Sequence, residues 1–113
     1  MVRGFIYVAA LVSCISLSHA DPIEGTWKRP NGVIVRFALC GADFCASPTT
    51  TKYAGQPAGK LSSSGKRHYT GTLIDLQDNS TYKGKAAIHD QVLTLKGCIF
   101  AGWICKSEDW VRQ

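Results

Sequence analysis

Five cysteines stand in a chain of 113 residues, at positions 14, 40, 45, 98 and 105, and their spacing limits the chemistry open to them. Cys40 and Cys45 bracket Gly41-Ala42-Asp43-Phe44, and Cys98 and Cys105 bracket the stretch from Ile99 to Ile104. Those are two tight pairs. A hairpin about Ala101-Gly102 sets Phe100 opposite Trp103, Ile99 opposite Ile104 and Cys98 opposite Cys105. Directly opposed residues have Cα atoms about 4.5–5.5 Å apart, within disulfide reach. Four cysteines allow three connectivities. A Cys40–Cys105 bridge closes a longer loop and removes more chain entropy, about 4 kcal/mol against about 2 for each short loop. Local geometry nevertheless favours the short pairs. Zinc is the competing chemistry, but CxxxxC and CxxxxxxC are not the spacings of zinc knuckles. Cysteines committed to disulfides leave no thiol nucleophile.

The remaining reactive side chains form no catalytic constellation. Ser62-Ser63-Ser64 lies near His68, without the Gly-x-Ser-x-Gly elbow that exposes a serine nucleophile. Asp75 and Asp78 flank a turn and suit loop solvation better than acid–base work. Glu108 and Asp109 are adjacent, so a regular strand sends them to opposite faces. His68 and His89 sit in no ligand motif, and no loop cradles a phosphate. Asn79-Ser80-Thr81 is a glycosylation sequon, idle if the organism is bacterial. The expectation is a protein that is not an enzyme and carries no cofactor and no metal.

Strands must position whatever remains. Apolar and polar residues alternate from Val33 to Leu39, with Val33, Val35, Phe37 and Leu39 on one face. Asn31-Gly32 before them is a strong hairpin signal. Gly25 to Arg29, Phe44 to Ala46, Tyr69 to Leu76, Thr81 to Ile88, Val92 to Ile99 and Trp103 to Arg112 read as further strands, the last kinked near Ser107. Residues 47–68 break the alternation with Pro48, Gly55, Pro57, Gly59 and Gly65 and read as a long loop. No helical period and no repeat is present. The fold class is all-β, a small antiparallel lipocalin-like barrel or a sandwich of about seven or eight strands with two hairpin disulfides.

The chain is too short for a doubly wound nucleotide-binding domain or a TIM barrel. Its basic residues are spread along the sequence, which argues against a nucleic-acid arm. Residues 1–20 read as a secretory signal: Arg3 supplies the positive charge, Gly4 to Leu17 the apolar run, and Ser18-His19-Ala20 the small residues at −3 and −1 before a cut at Asp21. The run is too short for a transmembrane anchor. Leu11-Val12-Ser13-Cys14 also resembles a bacterial lipobox, which would lipidate Cys14. Cleavage before Asp21 removes Arg3 and Cys14. It leaves an even four cysteines and a net charge one unit below the +5 of the whole chain. The expected location is periplasmic or secreted, where disulfides persist.

The Asp90-Gln91 turn fixes a register: Ile88 opposite Leu93, Ala86 opposite Leu95, Gly84 opposite Gly97. These, with Tyr82 and Ile99, form the inner face, where the small residues either leave room for a bulky side chain or ligand or serve tight packing. Lys83, Lys85 and Lys96 then lie outside, with Lys85 opposite Lys96. Like charges opposed across a pair are destabilising. The face is therefore either simply solvated or a docking site for an anionic envelope polymer or lipid. Phe100 and Trp103 share the outer face with the Cys98–Cys105 pair, as an apolar contact patch, unless a bulge at Gly97 turns them inward. The possible partners are a small apolar ligand or an anionic envelope component.

Gly25-Thr26-Trp27, Gly32 with Val35-Arg36-Phe37, Cys40-Gly41 and Cys45 resemble the start of a secreted bacterial family called domain of unknown function 2147. Tyr69 to Asp75, Thr81-Tyr82, Leu93 to Cys98 and Cys105 to Arg112 are similar to its middle and end. Its Asn-Pro-Asp segment has no counterpart in Thr50 to Gly65, and its Tyr-Asp-Pro stretch stands here as Ile74-Asp75-Leu76. The resemblance implies export and a β-rich fold, not a reaction. Gly25-Thr26-Trp27 and Trp110-Val111-Arg112 also look like the ends of lipocalin-type and avidin-type barrels, which implies a barrel-closing contact between Trp27 and Arg112.

Overall fold

The computed structural model describes residues 20–99 and 103–113. The expected signal segment up to residue 19, Cys14, Phe100 and the Ala101-Gly102 turn lie outside the described residues. Eight strands follow one another: β1 (Gly25–Lys28), β2 (Ile34–Cys40), β3 (Asp43–Pro48), β4 (Gly59–Gly65), β5 (His68–Asp75), β6 (Ser80–His89), β7 (Val92–Ile99) and β8 (Ile104–Arg112). Each pairs with its neighbour in sequence, and β8 returns to β1 to close an up-and-down antiparallel barrel.

The alternation of the sequence is the alternation of the wall. On β6, Tyr82, Gly84, Ala86 and Ile88 are buried while Lys83 and Lys85 are exposed. On β7, Leu93, Leu95 and Gly97 are buried. Trp27, Val35, Phe37, Phe44, Leu61, Tyr69 and Trp110 complete the inner core from the other strands. The pairs Ile88–Leu93, Ala86–Leu95 and Gly84–Gly97 stand in register. The pairing runs on through Lys83–Cys98 without a shift, so no bulge interrupts Gly97. Cys40–Cys45 and Cys98–Cys105 are both disulfide-bonded, with Cα separations of 5.8 and 4.0 Å.

Two sequence expectations are corrected. The loop expected over residues 47–68 covers only residues 49–58, because Gly59–Gly65 forms β4. That strand carries three serines and one buried apolar residue, Leu61, so it has no alternating pattern of its own. Pairing with β3 and β5 makes it a strand; context overrides local preference here. Nor is β8 kinked at Ser107, since it pairs residue for residue with β7 from Ile104 to Val111.

Glycines form a row across three strands, exposed Gly71 opposite buried Gly84 and Gly84 opposite buried Gly97. The space is taken by bulky core side chains. A methyl group on Gly84 would stand 2.7 Å from Leu73 Cγ, and one on Gly97 would stand 3.1 Å from Tyr82 Cβ. Tight packing is therefore what the small residues serve at these two positions.

The two ends of the barrel differ. At one end lie the β2–β3, β4–β5 and β6–β7 turns and the segment from Asp21 to Glu24, which plugs the floor with the fully buried Ile23. The indole N–H of Trp27 donates to the Ile23 carbonyl at 2.9 Å. Arg112 lies over the Trp27 ring, 4.1 Å from its centroid, and donates to the carbonyls of Glu24 and Pro22. The Tyr69 hydroxyl donates to the Asp21 carboxylate. Burial, with that carboxylate adding to it, holds the Tyr69 phenol well above the ordinary tyrosine range. The other end carries residues 29–33, the loop 49–58, the turn 76–79 and the tip of the β7–β8 hairpin, and it is open.

Candidate binding pocket at the open end of the barrel

A cavity of about 410 Å³ opens at this end. Its buried wall is apolar and aromatic: Val35, Leu95 and Trp110, with Pro48, Tyr82 and Gly97. Leu73 and Ala58, both half-buried, add to it. Tyr53 and Lys52 reach it from the loop 49–58, and Asp75 from the end of β5. Arg29, Lys106 and Glu108 supply its charge.

The alternation of β8 turns Lys106, Glu108 and Trp110 inward. Glu108 is the hub. Arg29 grips its carboxylate with two hydrogen bonds, Nε to Oε1 at 3.0 Å and Nη2 to Oε2 at 2.8 Å. The Trp110 indole N–H donates to Oε1 at 2.8 Å, and the Arg29 guanidinium lies 5.6 Å from the Trp110 ring centroid. The Arg29 bonds, helped by Trp110, hold the Glu108 carboxyl below the usual carboxylate range, although partial burial opposes them. Adjacent Asp109 faces outward and accepts from Thr94 Oγ1 at 2.8 Å.

The pair also spans a seam. β1 pairs with β8 only at Trp27–Arg112 and Lys28–Val111, so Arg29–Glu108 joins the two walls beyond the point where backbone pairing stops. Its side chains are 33% and 37% exposed, and screening limits such a pair to about 1 kcal/mol. Because the folded Glu108 pKa is depressed, this stabilisation is present above the unfolded carboxylate pKa and is lost as pH falls through the folded one. Glu108→Gln should therefore lower the melting temperature by a few degrees at pH 7, and the gap to wild type should shrink as the pH falls below the ordinary carboxylate range. A pH-independent gap in thermal unfolding would count against the ion pair.

Lys106 stands opposite Gly97, with its ammonium 5.4 Å from the centroid of the Tyr82 ring. The Tyr82 hydroxyl first, then the Asp75 and Asp78 carboxylates, hold its pKa above the ordinary lysine value, so it is a fixed positive charge at the mouth. Asp75 and Asp78 also accept from the backbone N–H groups of Gln77 and Ser80 in the turn. An apolar cavity of this size with a few placed polar groups is what a small-molecule site requires. It suits a ligand with an apolar body and one polar end.

The outer-face residues singled out from sequence lie elsewhere, whereas Tyr82, Leu95 and Gly97 of the expected inner face line the pocket. Lys83, Lys85 and Lys96 are exposed on the outer wall, with Lys85 directly opposite Lys96. Trp103 is 87% exposed at the hairpin tip. Ser62 faces outward and donates to Asp43 at 2.6 Å, while His68 and His89 are exposed. Sequence reasoning missed Arg29, Lys106, Glu108 and Trp110 as a group. A signal was present, since Lys106, Glu108 and Trp110 alternate on one face of β8. Two charges on an inner face mark either a mouth or an error in the register.

A family model described as "Uncharacterized protein conserved in bacteria (DUF2147)" matches residues 25–112. No curated protein and no solved structure matches the chain.

Proposed function

Given that the chain belongs to the bacterial DUF2147 family, we propose that it is a non-enzymatic binding module, which takes a small, mainly apolar molecule into the open end of its barrel. The observation that carries this reading is the cavity of about 410 Å³, walled by apolar and aromatic side chains and fringed by Arg29, Lys106 and Glu108. Export to the periplasm or beyond is part of the proposal. Two disulfides suit an oxidising compartment. Asp21 and Ile23 are anchored in the barrel floor directly after the expected cut, so cleavage there leaves their contacts in place.

Dodecanol, dodecanoate and anilinonaphthalene sulfonate are suitable probes, sharing an apolar body and differing in the polar end. A probe at about a hundred times its Kd adds about 2.7 kcal/mol, which raises the melting temperature of a domain this size by about 10 °C or more. Val33→Trp, which puts bulk on the half-buried lining of the mouth, should abolish that rise while leaving the unliganded melting temperature close to wild type. No rise with any of the three, or an undiminished rise in Val33→Trp, overturns the pocket reading.

A second reading rests on the outer wall, where Lys85 and Lys96 are opposed between Thr70 and Ser107 with no acidic residue in that row. Such a face suits an anionic envelope polymer or lipid.

A further inference from the structure

The β7–β8 hairpin carries an unusual tip. Trp103 is 87% exposed and Ile104 is 48% exposed, and both lie just beyond the Cys98–Cys105 disulfide. The disulfide fastens the two strands on the outer wall. The tip stands at the open end of the barrel, the end at which the cavity has its mouth.

Cations flank it, although the Asp75 and Asp78 carboxylates stand near Lys106. Lys83 is the cross-strand partner of Cys98, so it lies in the same outer row as the disulfide. Lys106 follows Cys105 and faces the mouth. Lys85 and Lys96 extend the charge along the outer wall. An indole prefers the boundary between water and acyl chains, where its ring is apolar and its N–H stays hydrated. Lysines behind it in the hairpin meet the headgroups and favour anionic ones.

We infer that the protein docks on an anionic phospholipid bilayer through the β7–β8 tip, with Trp103 and Ile104 at the interface and Lys83 and Lys106 on the headgroups. This deepens the lysine-face reading by committing it to lipid and to an orientation. Docked in this way, the barrel presents the mouth of its cavity to the membrane surface. An amphiphile leaving the bilayer then meets the pocket without crossing bulk water.

The test is co-sedimentation of the purified protein with vesicles of phosphatidylglycerol and phosphatidylcholine, together with fluorescence quenching. Wild type and variants carry the same residues 1–20, so any binding from that segment is common to all. Trp103→Ala, a change at an exposed position, is expected to weaken binding at least tenfold. On vesicles, iodide quenching of Trp103 should fall and quenching by brominated lipid should appear. Neutral vesicles should bind at least tenfold more weakly than anionic ones. Trp103→Ala binding like wild type, equal binding to neutral vesicles, or undiminished iodide quenching on vesicles overturns the inference. If Lys85→Glu with Lys96→Glu abolishes binding while Trp103→Ala does not, the lysine-face reading stands and the tip docking falls.

Discussion

Replacing Gly71 by alanine is expected to destabilise the barrel severely. Gly71, an exposed residue of β5, pairs with Leu61 of β4 and Gly84 of β6. A methyl group there would stand 2.1 Å from the carbonyl oxygen of Lys60 and 3.0 Å from Leu61 Cα. Both atoms are backbone, so no rotamer change relieves the overlap. β4 must move away from β5, and β4 has only Leu61 as a buried apolar side chain of its own. Overpacking typically costs 1–3 kcal/mol where side chains can yield. With rigid backbone opposite, the expectation is about 3 kcal/mol or more, a large share of a small domain's stability. The melting temperature should fall by about 15 °C or more, or soluble protein should be lost. Gly65→Ala is the matched control in the neighbouring strand. Its nearest atom is His68 Cβ at 3.8 Å, an ordinary contact, so its melting temperature should stay within about 2 °C of wild type. Equal melting temperatures for the two variants would show that β4 is free to shift.

The contrast between Gly71 and Gly65 also marks how far the sequence could be read. Alternation on β2, β6 and β7 is strong, and the Asp90-Gln91 turn fixed the register of β6 against β7 down to the opposed glycines. The cysteine spacing was equally legible, since a bridge across a hairpin is a local matter. β4 was not legible, because Lys60-Leu61-Ser62-Ser63-Ser64 offers one apolar residue and its pairing is decided by β3 and β5. The pocket failed to appear for a related reason. It is assembled from the β1–β2 turn, the loop 49–58, the end of β5 and the start of β8. Those segments are distant in sequence, and only closure of the barrel brings Arg29 to Glu108. Exposed charges such as Lys83, Lys85 and Lys96 can be read from alternation alone. An inward charge that finds its partner across a seam cannot.

That seam makes Arg112 the second critical position. Backbone pairing between β1 and β8 is limited to Trp27–Arg112 and Lys28–Val111, and the barrel depends on side chains to stay closed there. Arg112 covers the Trp27 ring and holds the carbonyls of Pro22 and Glu24, which keeps Ile23 seated in the floor. Arg112→Ala removes a cation–π contact worth about 0.5–2 kcal/mol and charge-assisted hydrogen bonds worth about 1.5–3 kcal/mol. These act on one unit and do not simply add, so the expected loss is about 3 kcal/mol, or about 15 °C in melting temperature. Arg112→Lys keeps the charge but not the planar fork that reaches two carbonyls while lying flat on an indole. It should recover less than half of the loss. Hydrogen exchange gives the more specific readout. The Gln113 amide, which donates to the Thr26 carbonyl across the seam, should lose protection in both variants before amides of β6 and β7 do. Uniform loss of protection would mean that the barrel opens as one unit and that Arg112 is one core contact among many. Selective loss at Gln113 would locate the weakest joint of the barrel where β1 meets β8, and would make the Arg29–Glu108 pair at the mouth the second fastener of the same joint.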